Sequence, residues 1–216
     1  MREHAPAVRS TTLNPRFALL LDGGFVTKAL AVKKKQFPSV QDIEAECKRI
    51  RSHADLQSLD LLRIYFYDSP PASGVLTNPI DGAVLDLGKS QVHLRNTKLL
   101  NDIELLPDFA LRRGEVIARG WKLGEKALKR LQKAPASPKA GDLVPNIQQK
   151  GVDLRIGLDI ARLALRQTVQ VIVVVTGDSD LVPAFKFARR EGIRIYLDHL
   201  GMPIRRELRA HADILI

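Results

Sequence analysis

The sequence predicts an α/β fold, a three-layer sandwich with a mostly parallel central sheet flanked by helices. Three observations lead there. Val171–Val175, within VQVIVVVTGDSD, is apolar at every position, as in a strand buried on both faces. Two further apolar runs, Phe17–Leu21 and Leu61–Tyr67, also end in an acid, Asp22 and Asp68. Stretches of helical periodicity separate these strands, the spacing expected of parallel strands joined by crossovers.

At 216 residues and 45% hydrophobic content, one domain with a full core is expected. The organisation predicted is a flexible leader over residues 1–15 and a single domain over 16–216. That domain carries an irregular insertion around 69–95 and a basic excursion around 112–145. Lysine and arginine total 34 against 24 acids, a net charge of +10 that favours a polyanionic partner over a merely soluble basic surface. The single cysteine, Cys47, excludes an internal disulfide and suits a reducing compartment, so a cytoplasmic location is expected. The apolar runs are too short to span a bilayer, and the N-terminus lacks the apolar centre of a signal peptide. No membrane partner is expected.

Along the chain, Phe17–Leu21 forms a buried strand stopped by Asp22-Gly23-Gly24, and Phe25–Val32 a first helical segment. Ser39 opens a helix over about Val40–Leu56, with Asp42 and Glu44 in its first turn where they suit the dipole. Leu61–Tyr67 is the next strand. Residues 69–95 hold repeated Pro and Gly and predict a long loop. A helix broken at Pro107 is expected over Asn96–Arg113, and a strand or hairpin arm over Val116–Leu123. Residues 112–139 carry nine basic residues against two glutamates and predict a mobile basic excursion. Leu154, Leu158, Ala161 and Leu165 then mark the apolar face of a helix that Asp153 can cap. After the central strand, Ser179 or Asp180 caps another helix, with Pro183 in its first turn and Gly192 as its stop. Ile193–Leu197 is a strand, Pro203–Ala210 a last helix and Ile214–Ile216 a terminal strand.

Asp22, Asp178 and Asp180 follow strands, and Asp153 begins the helix that leads into the central one. In open α/β sheets the chemistry lies beyond the carboxyl ends of the strands. Carboxylates sharing such a crevice cannot all stay ionised without a counter-charge. Hard oxygen donors of this kind suit Mg²⁺ or Mn²⁺, which can activate water against a phosphodiester. Each acid also has a plainer role: Asp22 in shaping a turn, Asp153 as a helix cap. Asp178 and Asp180 together exceed what one cap requires. Asp159, with Arg155 and Arg162 four residues before and three after it, fits an ion-paired helix face.

Lys150-Gly151-Val152-Asp153, Asp159 and Thr176-Gly177-Asp178-Ser179-Asp180-Leu181-Val182-Pro183 resemble the signature of NYN-domain proteins of the LabA/DUF88 type. Asp22-Gly23-Gly24, Tyr65-Phe66-Tyr67-Asp68 and His211-Ala212-Asp213 fit the same pattern. The resemblance implies a PIN-like, Rossmannoid fold and metal-dependent ribonuclease chemistry. Its acidic positions fall on Asp22, Asp153, Asp178 and Asp180, and a further one on Asp159. Phe25 departs from it, standing where many such proteins carry asparagine three places after the first aspartate.

Two functions are therefore weighed. In an endoribonuclease, Asp22, Asp153, Asp178 and Asp180 would be both catalytic and metal-holding, with Ser179 and Thr176 positioning water or phosphate oxygen. Lys150 and Arg155 would draw in the backbone, and Lys122, Lys126, Lys129 and Arg130 of the basic excursion would add salt-sensitive affinity for single-stranded or structured RNA. Trp121 would stack on a base or pack into a core. The alternative is a catalytically weak or inactive RNA-binding regulator, favoured by Phe25. A homodimer is compatible with either. A phosphotransfer domain would need a lysine after a late strand, where Asp198-His199 stand, and no G-x-G-x-x-G follows any strand.

Overall fold

The computed structural model describes residues 14–216, so the predicted leader lies almost wholly outside the described residues. The chain opens with β1 (Arg16–Asp22), α1 (Gly23–Lys34), α2 (Val40–Arg51) and β2 (Asp60–Asp68). A small hairpin, β3 (Val75–Thr77) and β4 (Val84–Asp86), precedes α3 (Gln91–Glu104) and β5 (Phe109–Arg113). Next come β6 (Glu115–Leu123), α4 (Glu125–Lys133), β7 (Leu143–Lys150) and α5 (Val152–Leu165). The chain closes with β8 (Val171–Val175), α6 (Val182–Arg190), β9 (Arg194–Asp198), α7 (Arg206–Ala210) and β10 (Ile214–Leu215).

Six strands form one sheet in the order β10-β9-β8-β1-β2-β5, every neighbouring pair parallel. From β1 the chain winds outward through β2 to β5, then returns to lay β8 on the other side of β1. The reversal makes the β1–β8 boundary the switch point, where the outgoing connections diverge to opposite faces and leave a crevice. Both faces are covered. Leu19, Leu21 and Val173 face Val26, Leu30, Ile43 and Ile50 of α1 and α2, while Leu20, Ile172 and Val174 face Ile156, Ile160 and Phe185 of α5 and α6. This two-sided burial is the physical reason β1 and β8 are apolar throughout rather than alternating.

Several expectations are corrected. The helix expected over Asn96–Arg113 ends at Glu104, and Phe109–Arg113 pairs with β2 as an edge strand. Pro107 and the left-handed Asp108 supply the turn between them, and five residues are too few for a stable helix. The helix from Ser39 stops at Arg51, not Leu56, although Ser39 does cap it, its hydroxyl accepting from Asp42 N. The region 69–95 holds the β3–β4 hairpin and the start of α3. The basic excursion is an ordered antiparallel ribbon of β6 and β7 bearing α4, where a mobile segment was expected.

The roll of α5 also differs from expectation. Leu154, Leu158 and Leu165 are 65%, 60% and 63% exposed, and the buried face is Ile156, Ile160, Leu163 and Ala164. Nor does Asp153 cap this helix; Gly151 occupies the cap position and Asp153 lies in the first turn. Asp153 precedes Ile156 and Ile160 by three and seven residues. It therefore stands at the start of their side of the helix, where its own side chain is exposed.

Candidate active site

At the end of β1, Asp22 caps α1: its Oδ1 accepts from Phe25 N at 3.2 Å. Its Oδ2 accepts from the Thr176 hydroxyl at 3.0 Å, and that hydroxyl in turn accepts from Asp178 N at 3.1 Å. Thr176 thus ties the ends of β1 and β8 together, and it is fully buried. Asp178 turns the chain into α6, its Oδ1 accepting from Asp180 N at 2.9 Å. Asp178 thus caps the 3₁₀ turn Ser179–Leu181 that leads into α6, and α6 itself, with Leu181 at its cap position, receives no side-chain cap from Ser179 or Asp180. A side chain at Gly23 would come within 2.5 Å of the Phe66 ring and 2.7 Å of Tyr67 O, so only glycine lets α1 start so close to β2.

Asp68, a residue the sequence reading left outside its site, stands beside them. Asp22 is in register with Tyr67, so Asp68 lies one position beyond it on the adjacent strand. It accepts from Ser69 N at 2.7 Å and faces Gln149 Nε2 at 3.5 Å. Burial, reinforced by repulsion from Asp22, pushes its carboxyl up to about 6. The sequence signal was the acid at the end of Leu61–Tyr67, the same signal that marked Asp22.

Asp22 is also pushed up, chiefly by burial, with Asp153 and Asp178 adding repulsion against the hydrogen bonds from Phe25 N and Thr176. Asp153 is raised first by partial burial, then by Asp178 and Asp180. The predicted carboxylates therefore gather at the switch point and act on one another. Among the described residues, none of Asp22, Asp68, Asp153, Asp178 or Asp180 has a lysine or arginine partner. As the side chains lie, no three metal-binding groups among the described residues meet around one point. Asp198 at the end of β9 is different, being buried and paired with Arg49.

Asp159 stands apart from the crevice. Its Oδ2 accepts from Tyr67 OH at 2.9 Å and from Arg112 Nε at 3.1 Å, and its Oδ1 pairs with Arg162 at 3.2 Å. The ion-paired face is present, with Arg112 in place of Arg155. Arg155 instead donates to Gly151 O at 2.9 Å. The Ser179 hydroxyl accepts from Arg205 at 3.3 Å.

The ribbon is rooted in the same crevice. Gly114 N donates to Asp68 O at 2.8 Å, and Ser69 donates to Glu115 O at 3.2 Å, while Lys150 closes β7 just before Asp153. Along α4, Lys126, Lys129, Arg130 and Lys133 fall at i, i+3, i+4 and i+7, an exposed cationic stripe. Lys122 is exposed on β6, and Arg130 is paired with Asp142. Trp121 Nε1 donates to Thr77 O at 2.8 Å, which braces the ribbon against β3 and occupies the indole N–H. On the other side of Asp22, a cavity of about 530 Å³ is lined by Phe25, Lys28, Asp178 and Met202 among others.

The NYN domain profile matches residues 80–215, well over half of the chain. The chain belongs to the NYN domain family. The match includes Asp153, Asp159, Asp178 and Asp180, and the parallel sheet with its flanking helices is consistent with the PIN-like, nuclease-type fold of NYN domains. A crystal structure of a protein of unknown function from Vibrio parahaemolyticus is similar at TM-score 0.53 and 13% identity, over 96% of this NYN chain and 94% of that one. That likeness concerns the fold alone. No curated protein sequence matches the chain. Among the described residues of this NYN protein, no helix is long and apolar enough to cross a membrane.

Proposed function

We propose that this NYN protein is a metal-dependent endoribonuclease. The observation that carries the proposal is the uncompensated carboxylate group at the switch point. Four acids press on one another there, and no basic side chain among the described residues offsets them. Such a grouping is unfavourable unless a cation joins it, and its hard oxygens fit Mg²⁺ or Mn²⁺. Asp22, Asp153, Asp178 and Asp180 would hold the ion. Bound there, it would lower the pKa of a water and offset charge on the phosphodiester.

The chain's own groups have separable tasks. Thr176 is already committed on both sides, donating to Asp22 and accepting from Asp178 N, so it orients those two aspartates. Ser179 keeps its own hydroxyl proton to offer to a water or a phosphate oxygen. Lys150 stands at the foot of the ribbon, and Lys122, Lys126, Lys129 and Arg130 extend positive charge away from the acids. This arrangement suits a backbone drawn along the ribbon into the crevice. Arg155, bonded to Gly151 O, holds the turn before Asp153. A buried thiol at Cys47, pushed up to about 12 by burial, is unreactive and compatible with a cytoplasmic protein.

Phe25 favours a second reading, an RNA-binding regulator that does not cleave. Cleavage of a labelled, partly single-stranded RNA with Mn²⁺ or Mg²⁺, against EDTA and against Asp178→Asn, separates the two. Metal-dependent cutting lost in the variant supports the nuclease. Equal binding without cutting supports the regulator.

A further inference from the structure

We propose that the cavity beside Asp22 and Asp178 is a subsite for one unpaired nucleobase, with Phe25 as its stacking wall. The proposal rests on the RNA reading above and names what that site recognises. The cavity's volume, about 530 Å³, lies in the range of small-molecule sites, and its walls are of the expected kind. Phe25, Ala29, Met202 and Pro203 supply apolar surface, while Lys28 and the two aspartates supply the polar groups.

Phe25 is held in place rather than loosely exposed. Its N–H is fixed on Asp22, and its ring lies against Gly177 so closely that a Cβ there would come within 2.6 Å of Cε2. Glycine at 177 is what allows the ring to lie against the chain just beyond β8. The buried residues of α1 are Gly23, Val26, Ala29 and Leu30; Phe25 is only partly covered and Lys28 is exposed. Phe25 and Lys28 are three residues apart and therefore neighbours on one helix face. A flat aromatic ring next to a cation is the pairing that single-stranded nucleic acids meet on their binding proteins, base on ring and phosphate on ammonium. Met202, across the cavity, brings a polarizable thioether that adapts to different bases. Without a bound cation Asp22 and Asp178 repel a phosphate, so the base is the part of a nucleotide that fits between these walls.

The departure at Phe25 thus exchanges a hydrogen-bonding amide for a stacking surface. A paired base has no free face to offer, so the subsite selects single strands next to the carboxylates.

The test walks 2-aminopurine through a short single-stranded oligoribonucleotide and reads fluorescence and affinity in EDTA, where no metal-dependent cutting occurs. The wild type should quench the probe strongly at one position. Phe25→Ala and Phe25→Leu should abolish that quench and weaken binding roughly 5- to 100-fold, whereas Phe25→Trp should retain both. Thermal unfolding of each variant checks that it is folded, and Phe25→Leu keeps apolar volume without a ring. Wild-type quenching and affinity in a folded Phe25→Leu protein would overturn the proposal, as would quenching that is uniform along the strand. Metal-dependent cleavage without a Phe25-dependent position removes the subsite and leaves the nuclease. A Phe25-dependent position without cleavage upholds the subsite and removes the nuclease.

Discussion

Replacing Asp68 with asparagine should make the protein less sensitive to pH, and the size of the effect follows from its surroundings. In the fold its carboxyl is pushed from the ordinary 3.8 to about 6 by burial and by Asp22. The neutral form is therefore the one the fold prefers. Its contribution is fully present below pH 3.8 and is lost as pH rises through 6. Two pH units correspond to about 3 kcal/mol. Asparagine stays neutral, has nearly the same shape, and still accepts from Ser69 N. Asp68→Asn should thus gain about 3 kcal/mol relative to wild type between pH 3 and pH 7. For a domain of this size that is roughly 6–12 °C in Tm. Urea or thermal unfolding with EDTA across that window measures it. Parallel pH profiles for the two proteins, or a wild type that gains on the variant as pH rises, would refute the argument.

Three further outcomes are expected. Mn²⁺ or Mg²⁺ at about a hundred times its Kd should stabilise the wild type by about 2.7 kcal/mol, a response lost in Asp178→Asn; an unchanged wild-type Tm would count against a metal site. Neutralising Lys126, Lys129 and Lys133 to glutamine should flatten the dependence of log affinity for single-stranded RNA on log salt by about 2, at ~0.7 per lost phosphate contact, and an unaltered slope would take α4 out of the interface. Asp159→Asn should destabilise by about 1–3 kcal/mol, because Arg112, Arg162 and Tyr67 all lose their shared carboxylate; the figure is held down by the half-exposed arginines, which regain water. Chemical denaturation checks it, and a change near zero would show those contacts to be dispensable.

Much of the architecture was legible because burial writes itself into composition. Val171–Val175 and Phe17–Leu21 had to be apolar throughout, since helices cover both of their faces. The acids at their ends stood out because no packing role explains two of them around Ser179. Other elements were illegible for equally physical reasons. Phe109–Arg113 is a half-buried edge strand whose pattern does not differ from a short helix. The ribbon of β6 and β7 looked like a mobile basic stretch because its order comes from pairing across some twenty residues and from the brace of Trp121 on Thr77.

The roll of α5 shows where the boundary lies. The sequence pattern pointed to the Leu154–Leu158–Ala161–Leu165 face, yet Ile156, Ile160 and Leu163, the face the fold buries, repeat with the same helical spacing, so the stretch itself does not decide the roll. The choice is made by neighbours distant in sequence. Asp159 takes Arg112 and Tyr67 as partners, and Ile156 and Ile160 fill the face of the sheet made by Leu20 and Val174. That roll also turns Asp153 towards Asp178. The sequence by itself determined the class of fold, the strands that end in acids and the positive charge along the 112–139 stretch, because these depend on composition and short-range pattern. Only the tertiary structure decided that Asp68 joins the carboxylates, that Arg112 rather than Arg155 joins Arg162 on Asp159, and that Phe25 lies on Gly177 beside an open cavity. Those are contacts between residues remote in the chain, and they exist only once the sheet has brought its strand ends together.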